Sequence, residues 1–309
     1  MRNVFASEIT KLAAEDPRVV LLSGDIGNKL FDGYKERCPD RFFNCGVAEA
    51  NMVGVAAGLA LSGLRPVTYT IASFMTYRCF EQIRVDVCYH HLPVVIVGVG
   101  AGLSYAANAG THHCCEEVAI LRTLPGMTVL APGDPAEVAP LLRQALAHDG
   151  PVYMRIGKKG EPKVHATPPS MTIGRGLVLR EGRDVCLLSS GTMLPVAVES
   201  ARRLEEAGVS ARVVSMHTIK PLDEALLADC AATFPLIVTI EEHSVIGGLG
   251  GAVAEWMAEQ PVRRARLLRI GTADSFMHEA GEQEHAREYF GLTAGSITGR
   301  IQERLSSRP

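Results

Sequence analysis

The run Asp40-Arg41-Phe42-Phe43-Asn44-Cys45-Gly46-Val47-Ala48-Glu49-Ala50-Asn51-Met52-Val53-Gly54-Val55-Ala56-Ala57-Gly58-Leu59 decides how the chain is read. Residues 47–62 are rich in alanine and glycine, which suits a helix lying close against its neighbours. A single carboxylate, Glu49, opens that helix, where the positive end of the helix dipole would by itself favour an acid. Upstream, Phe5, Ile9, Leu12 and Ala13 recur at helical spacing, and Val19-Val20-Leu21-Leu22-Ser23 reads as a buried strand. Downstream, residues 66–72 and 93–99 read as strands with a helical stretch between them, and shorter strands at 127–130 and 152–155 flank a helix at 135–147. Strands alternating with helices predict an α/β domain built on a mainly parallel sheet with helices on both faces.

The pattern breaks at 157–172, where three prolines, two glycines and three lysines stand among few apolar residues. It then resumes, with strands expected at 184–190, 211–216, 236–240 and 265–270 and helices at 193–207, 222–231 and 249–259. The predicted organisation is two such domains, 1–157 and 177–309, joined by a linker over 158–176.

Composition narrows the function. Of 309 residues, 31 are basic and 34 acidic, so the net charge of −3 gives no electrostatic reason to expect nucleic acid. Apolar residues make up 47% and charged residues 21%, which excludes a disordered chain. No apolar run reaches the ~20 residues of a membrane span. The first eight residues lack the apolar core of a signal peptide. Eight cysteines without a Cys-x-x-Cys pair fit free thiols in a reducing cytoplasm.

The opening run resembles the pyrimidine-domain signature of transketolases, as do Phe80-Glu81-Gln82-Ile83-Arg84 and Thr111-His112-His113. Ile219-Lys220-Pro221-Leu222-Asp223 and the stretch from Glu241 to Gly250 resemble that family's C-terminal domain. The resemblance runs over nearly the whole chain in order, and corresponds to the C-terminal half of a full-length transketolase. It implies thiamine diphosphate as cofactor. Glu49 matches the glutamate that hydrogen-bonds the N1′ nitrogen of the cofactor's aminopyrimidine. A carboxyl in that role must share a proton, which burial assists. Phe74 matches the phenylalanine that stacks on the pyrimidine, Tyr77 a second aromatic one turn on, and Ile71 replaces a third with an aliphatic wall. Pairs spaced like Phe74 and Tyr77 also occur as plain core contacts. Asp25 matches an aspartate near the cofactor, though a turn aspartate would look the same.

On the substrate side, His112 matches a histidine near the reacting carbon, suited to a hydroxyl or carbonyl oxygen of the donor ketose. His113 and Asn108 are further candidates. Arg155 matches an arginine that binds the sugar phosphate, Arg2 a second, and Lys158 and Lys159 lie close by in sequence. His112-His113-Cys114-Cys115 also invites a zinc reading, but consecutive ligands diverge and no second cluster accompanies them. The chain departs from the family where a second histidine and an acidic turn are usual: it has Gly100 and Ala106-Ala107-Asn108-Ala109. Donor recognition is therefore expected to differ from that of the usual sugar phosphates.

No Gly-Asp-Gly occurs in this sequence. In the family that motif carries Mg²⁺ and the diphosphate through oxygen ligands. The resemblance therefore implies a partner: an N-terminal-half subunit bearing the motif and the Mg²⁺, assembled as two of each chain. The expected reaction is transfer of a two-carbon ketol unit from a ketose to an aldehyde. Rival readings are a beta-type subunit of a 2-oxo acid dehydrogenase, a 1-deoxyxylulose-phosphate-synthase-like enzyme, and a non-catalytic regulatory subunit that kept the fold.

Overall fold

The computed structural model describes residues 1–27, 29–261 and 265–307. The first half runs α1 (Arg2–Glu15), β1 (Val19–Ser23), α2 (Asp32–Arg37), β2 (Phe42–Asn44), α3 (Glu49–Leu61) and β3 (Arg65–Ile71). It continues with α4 (Ala72–Thr76), α5 (Phe80–Gln82) and a wide π-helical turn at 83–88. Then come β4 (Val95–Val99), α6 (Glu117–Arg122), β5 (Thr128–Leu130), α7 (Pro135–Ala147) and β6 (Val152–Ile156). Strands β1 to β6 pair parallel throughout, in the order β5-β6-β4-β3-β1-β2. The apolar runs of β1 and of β3 to β6 are buried on both faces, as a helix-covered parallel sheet requires, while the short edge strand β2 is largely exposed. One face packs on α1 and α7 through Phe5, Ile9, Val138 and Leu142, the other on α3 through Met52, Val53 and Ala56. Asp134 caps α7, accepting from Ala136 N at 2.7 Å and Glu137 N at 3.2 Å, ahead of Pro135 at the first helical position.

Residues 157–176 form neither helix nor strand. The second half runs β7 (Leu177–Arg180), β8 (Val185–Ser189), α8 (Leu194–Glu206), β9 (Ala211–Ser215), β10 (Thr218–Lys220), α9 (Glu224–Thr233) and β11 (Leu236–Ser244). It ends with α10 (Leu249–Glu259), β12 (Arg266–Thr272), α11 (Gln283–Tyr289) and α12 (Ala294–Ser306). Four strands of its sheet are parallel neighbours, and β7 closes one edge antiparallel to β9. Core clusters on its two faces are built from α8 and α12 on one side and α9 and α10 on the other. The chain is thus two α/β domains with mainly parallel sheets flanked by helices.

The sheets are not independent of each other. β10 leaves the second half and pairs antiparallel with β5, becoming the seventh strand of the first sheet. The polar end of β11 fastens the same seam: Ser244 N donates to Cys115 O at 2.7 Å, and Ala119 N donates to His243 Nε2 at 3.3 Å. Glu242 accepts from Leu103 N at 2.8 Å and from Arg287 Nε at 2.6 Å. Burial pushes His243 down to about 3, so it is a neutral acceptor there. Glu241 takes the first amides of α10, Leu249 N at 2.7 Å and Gly250 N at 2.8 Å, and burial raises its carboxyl to about 7 despite them.

Candidate functional site

In this sheet the chain leaves β1 for β2 on one side and returns to β3 on the other. The carboxyl ends of β1 and β3 therefore flank a topological switch point, the usual ligand crevice of an open α/β sheet. Glu49 stands there as the first residue of α3, 2% exposed. Its Oε2 accepts from Arg78 Nη1 at 3.2 Å. Its Oε1 is buried and has no hydrogen-bond partner. Thr70 Oγ1 and Ser73 Oγ, at the end of β3 and in α4, are buried and unpartnered as well. Gly24, just past β1, is what leaves room: a Cβ there would lie 2.9 Å from Thr70 Oγ1 and 3.5 Å from Glu49 Cγ. Buried polar atoms are nearly always paired, so orphans in one crevice mark a place where a polar ligand completes them.

A file of contacts runs outward from Glu49. Arg78 lies over the Phe74 ring at 4.2 Å, and Phe74 meets the His112 ring edge-on at 5.0 Å between centroids. His112 in turn lies 5.9 Å from Tyr105, and Lys158 Nζ stands 4.4 Å above the Tyr105 ring. The tautomer of His112 follows from its neighbours. Thr111 Oγ1 donates to Asn108 O at 3.1 Å, so it accepts from His112 Nδ1–H at 2.9 Å. Nε2 is then the free acceptor of a neutral ring. Partial burial, together with the charges of His113 and Lys158, pulls His112 below the ordinary histidine range and keeps it neutral.

The expected residues distribute unevenly about this file. Glu49, Phe74 and His112 belong to it, and Asn108 supports it through Thr111. Ile71 ends β3 opposite Val99 at its rim. Tyr77 turns away and donates its hydroxyl to Glu116, which also receives Cys115 N at 3.1 Å. Asp25 is exposed, holds a left-handed backbone (φ 56°), and accepts from Asn44 Nδ2 at 2.9 Å. A non-glycine residue in that region is a local strain of the kind that gathers at functional sites. His113 faces the seam instead, lining a 170 Å³ cavity with Ser244, Asp274 and Phe276, its Nε2 unpartnered. Cys114 approaches Thr76 Oγ1 at 3.9 Å, and among the described residues no three metal-ligating side chains gather.

Arg155 does not face the crevice. It is 5% exposed, with Nε 2.8 Å from Glu117 Oε1 and Nη2 donating to Glu242 O at 3.2 Å. Arg2 begins α1; its charge acts on the Tyr105 phenol, and its Nε is buried without a partner. The sequence reading missed Arg78, although its place four residues after Phe74 is one helical turn. It missed Tyr105 as well, a lone aromatic in a glycine-rich loop that carries no motif.

Two family descriptions match the chain: "Transketolase, pyrimidine binding domain" over residues 1–162 and "Transketolase, C-terminal domain" over residues 174–297. The "6-deoxy-6-sulfo-D-fructose transketolase subunit SqwH" of Clostridium sp. (strain MSTE9) is 38% identical over 305 residues, covering 98% of this chain and 94% of that protein. The 1-deoxy-D-xylulose-5-phosphate synthase of Chlorobium phaeovibrioides (strain DSM 265 / 1930) is 36% identical, and the chain spans 47% of its length, against 97% of its own. A solved structure described as "Split gene transketolase, inactive beta4 tetramer" is 38% identical and superposes with a TM-score of 0.89, covering 99% of this chain and 97% of that one.

Proposed function

The chain belongs to the transketolase family, and from that premise we propose that it supplies the pyrimidine-recognising side of a thiamine-diphosphate site that a second chain completes. The observation that carries this reading is the orphaned Oε1 of Glu49, buried at the switch point, where Gly24 brings it near the unpartnered Thr70 hydroxyl. These atoms fit a flat ring bearing donors and acceptors, and the half-buried Phe74 offers it an apolar wall. When bound, thiamine diphosphate supplies a nucleophilic carbon that adds to a carbonyl group and allows a neighbouring carbon–carbon bond to break. Glu49 would hold a proton on Oε1 and share it with a ring nitrogen. Phe74 would cover the ring on the side that Arg78 leaves open. His112, neutral and with Nε2 free, would accept a proton from a substrate hydroxyl.

The diphosphate and Mg²⁺ fall to a partner with a Gly-Asp-Gly motif, with two copies of each chain in the active assembly. The related protein named as a transketolase subunit, and the related chain described as an inactive beta4 tetramer, support dependence on a second subunit. The reaction proposed is transfer of a two-carbon ketol unit from a ketose to an aldehyde. Among the described residues no helix is long and apolar enough to cross a membrane, and eight free cysteines suit a reducing cytoplasm. The identity with a 1-deoxyxylulose-5-phosphate synthase keeps a pyruvate-using reaction as the second reading. Co-expression with a Gly-Asp-Gly chain, followed by assay with ketose or with pyruvate as donor, separates the two. Ketose cleavage that needs both chains supports the first, and pyruvate decarboxylation alone replaces it with the second.

A further inference from the structure

β1 and β2 run parallel up to the crevice and part there. Ser23 lies opposite Asn44 in the register, and Cys45 N donates to Ser23 O at 2.8 Å. Beyond that bond, among the described residues, no backbone hydrogen bond joins 24–27 to 46–48. The Asn44 side chain crosses the gap instead. Its Oδ1 accepts from Gly46 N at 3.0 Å, and its Nδ2 donates to Asp25 Oδ1 at 2.9 Å. A backbone amide can only donate and a carboxylate can only accept, so both neighbours fix the same orientation of the carboxamide.

Each end of this bridge bears on Glu49. Asp25 holds a left-handed backbone (φ 56°), a conformation that persists only where its surroundings hold it. Gly24 beside it roofs the crevice, since a Cβ there would stand 2.9 Å from Thr70 Oγ1 and 3.5 Å from Glu49 Cγ. A small shift of this turn therefore moves backbone against the Glu49 side chain. At the other end Gly46, with φ +68°, leads into α3 just ahead of Glu49. Ala48, the N-cap of α3, offers no side-chain bond to the helix start. The entry of α3 is held from upstream, by Asn44. Asn44 and Asp25 are themselves exposed, and an exposed hydrogen bond exchanges with water at little net gain in stability. What the bridge contributes is placement.

We propose that Asn44 is a positioning residue for Glu49: its carboxamide ties the Asp25 turn to the entry of α3 and so sets where the Glu49 carboxyl stands in the crevice. This deepens the thiamine-diphosphate reading above and rests on it. Asn44 touches no reacting atom; it acts through the two loops it joins.

The test begins with the full chain by itself, where no cofactor is needed. In Asn44→Ala, amide hydrogen–deuterium exchange read by mass spectrometry should quicken in the peptide carrying Gly46 and the first turn of α3, while the urea midpoint stays at the wild-type value. Unchanged amide exchange there overturns the proposal. In the two-chain enzyme, Asn44→Ala should slow hydrogen–deuterium exchange at the cofactor's C2 carbon by about tenfold, below the ~10²-fold of a full 1 Å misplacement. The affinity for thiamine diphosphate should change by less. Asn44→Asp keeps the acceptor for Gly46 N but sets a carboxylate against Asp25, and should slow C2 exchange as much. Asp25→Asn together with Asn44→Asp restores the bond with donor and acceptor reversed, and should recover most of the rate. Wild-type C2 exchange in Asn44→Ala, or a double variant no faster than Asn44→Asp, overturns the proposal. Glu49→Gln measured alongside separates the two claims. If it too exchanges at the wild-type rate, the thiamine-diphosphate reading fails, and the bridge is judged by the amide exchange of the chain alone.

Discussion

Arg155 Nε and Glu117 Oε1 lie 2.8 Å apart inside the seam between the two halves, with Arg155 5% exposed and Glu117 fully buried. The pair is close but poorly aligned, because both Glu117 oxygens lack a hydrogen-bond partner. Burial pushes the Glu117 carboxyl up, against the pull of the guanidinium. Removing the arginine alone would strand a buried carboxylate. Arg155→Ala should therefore cost about 3–5 kcal/mol of stability in urea denaturation, the usual scale for breaking a buried pair. Arg155→Ala with Glu117→Gln should recover part of that loss. An Arg155→Ala chain as stable as wild type would mean that the guanidinium is available to substrate after all.

A second ion pair fixes the connecting segment. His165 Nε2 lies 2.9 Å from Glu137 Oε1, and Glu137 Oε2 receives Gly133 N at 2.6 Å and Ser215 Oγ at 3.1 Å. The hydrogen bond to Glu137 raises the His165 imidazole above its ordinary 6.5, against the effect of burial. The folded chain thus binds this proton more tightly than the unfolded chain. The stabilisation is complete below about pH 6.5 and is lost as pH rises through the folded value. Urea midpoints measured from pH 5.5 to 8.5 should show wild type losing its advantage over His165→Asn across that interval. A constant difference would mean that His165 carries no charge in the fold.

The α/β alternation was legible because it is written in apolar periodicity. The helices at 135–147 and 249–259 match α7 and α10 end to end, and Val19–Ser23 matches β1. The elements that periodicity does not mark are short or polar. β2 and β10 have three residues each, and β11 extends through Glu241, Glu242 and His243, whose burial depends on partners far away in sequence. Glu49, Phe74 and His112 could be picked out only through a family motif. Tyr105 over Gly100, and Arg155 turned inward to Glu117, depend on tertiary contacts that no local pattern encodes.

The stacking role assigned to Phe74 has a direct test. In the completed enzyme, Phe74→Ala should weaken thiamine diphosphate binding by about 1–3 kcal/mol, the range for a buried aromatic contact. The substitution also removes the ring beneath Arg78. Phe74→Leu separates the two effects, keeping apolar bulk without an aromatic face. An unchanged dissociation constant with intact folding would leave Phe74 as a support for Arg78 and His112 only.

The chain by itself should fold and self-associate, yet show no Mg²⁺-dependent affinity for thiamine diphosphate, because the sequence contains no Gly-Asp-Gly. Calorimetry of the purified chain with the cofactor, with and without Mg²⁺, measures this. Micromolar binding that requires Mg²⁺ would remove the need for a second chain.

Glu49 gives the sharpest test of the site, because one of its carboxylate oxygens is bonded and the other is not. Oε2 is held by Arg78 at 3.2 Å, which fixes the side chain and leaves Oε1 as the open position in the buried crevice. Glutamine keeps the size and can still hydrogen-bond at that position, but it cannot exchange a proton with a ring nitrogen. Glu49→Gln should therefore leave folding and assembly intact and weaken cofactor binding only modestly. Hydrogen–deuterium exchange at the cofactor's C2 carbon, measured by NMR on the two-chain enzyme, should slow by at least about 10²-fold, the scale for losing a positioned acid or base. Donor cleavage should fall in parallel, whereas the exchange itself can be read without knowing the donor. Arg78→Ala should slow exchange less, since it loosens the carboxylate without removing it. If Glu49→Gln exchanges at the wild-type rate, Glu49 is no more than an acid at the start of α3, and the crevice belongs to some other ligand.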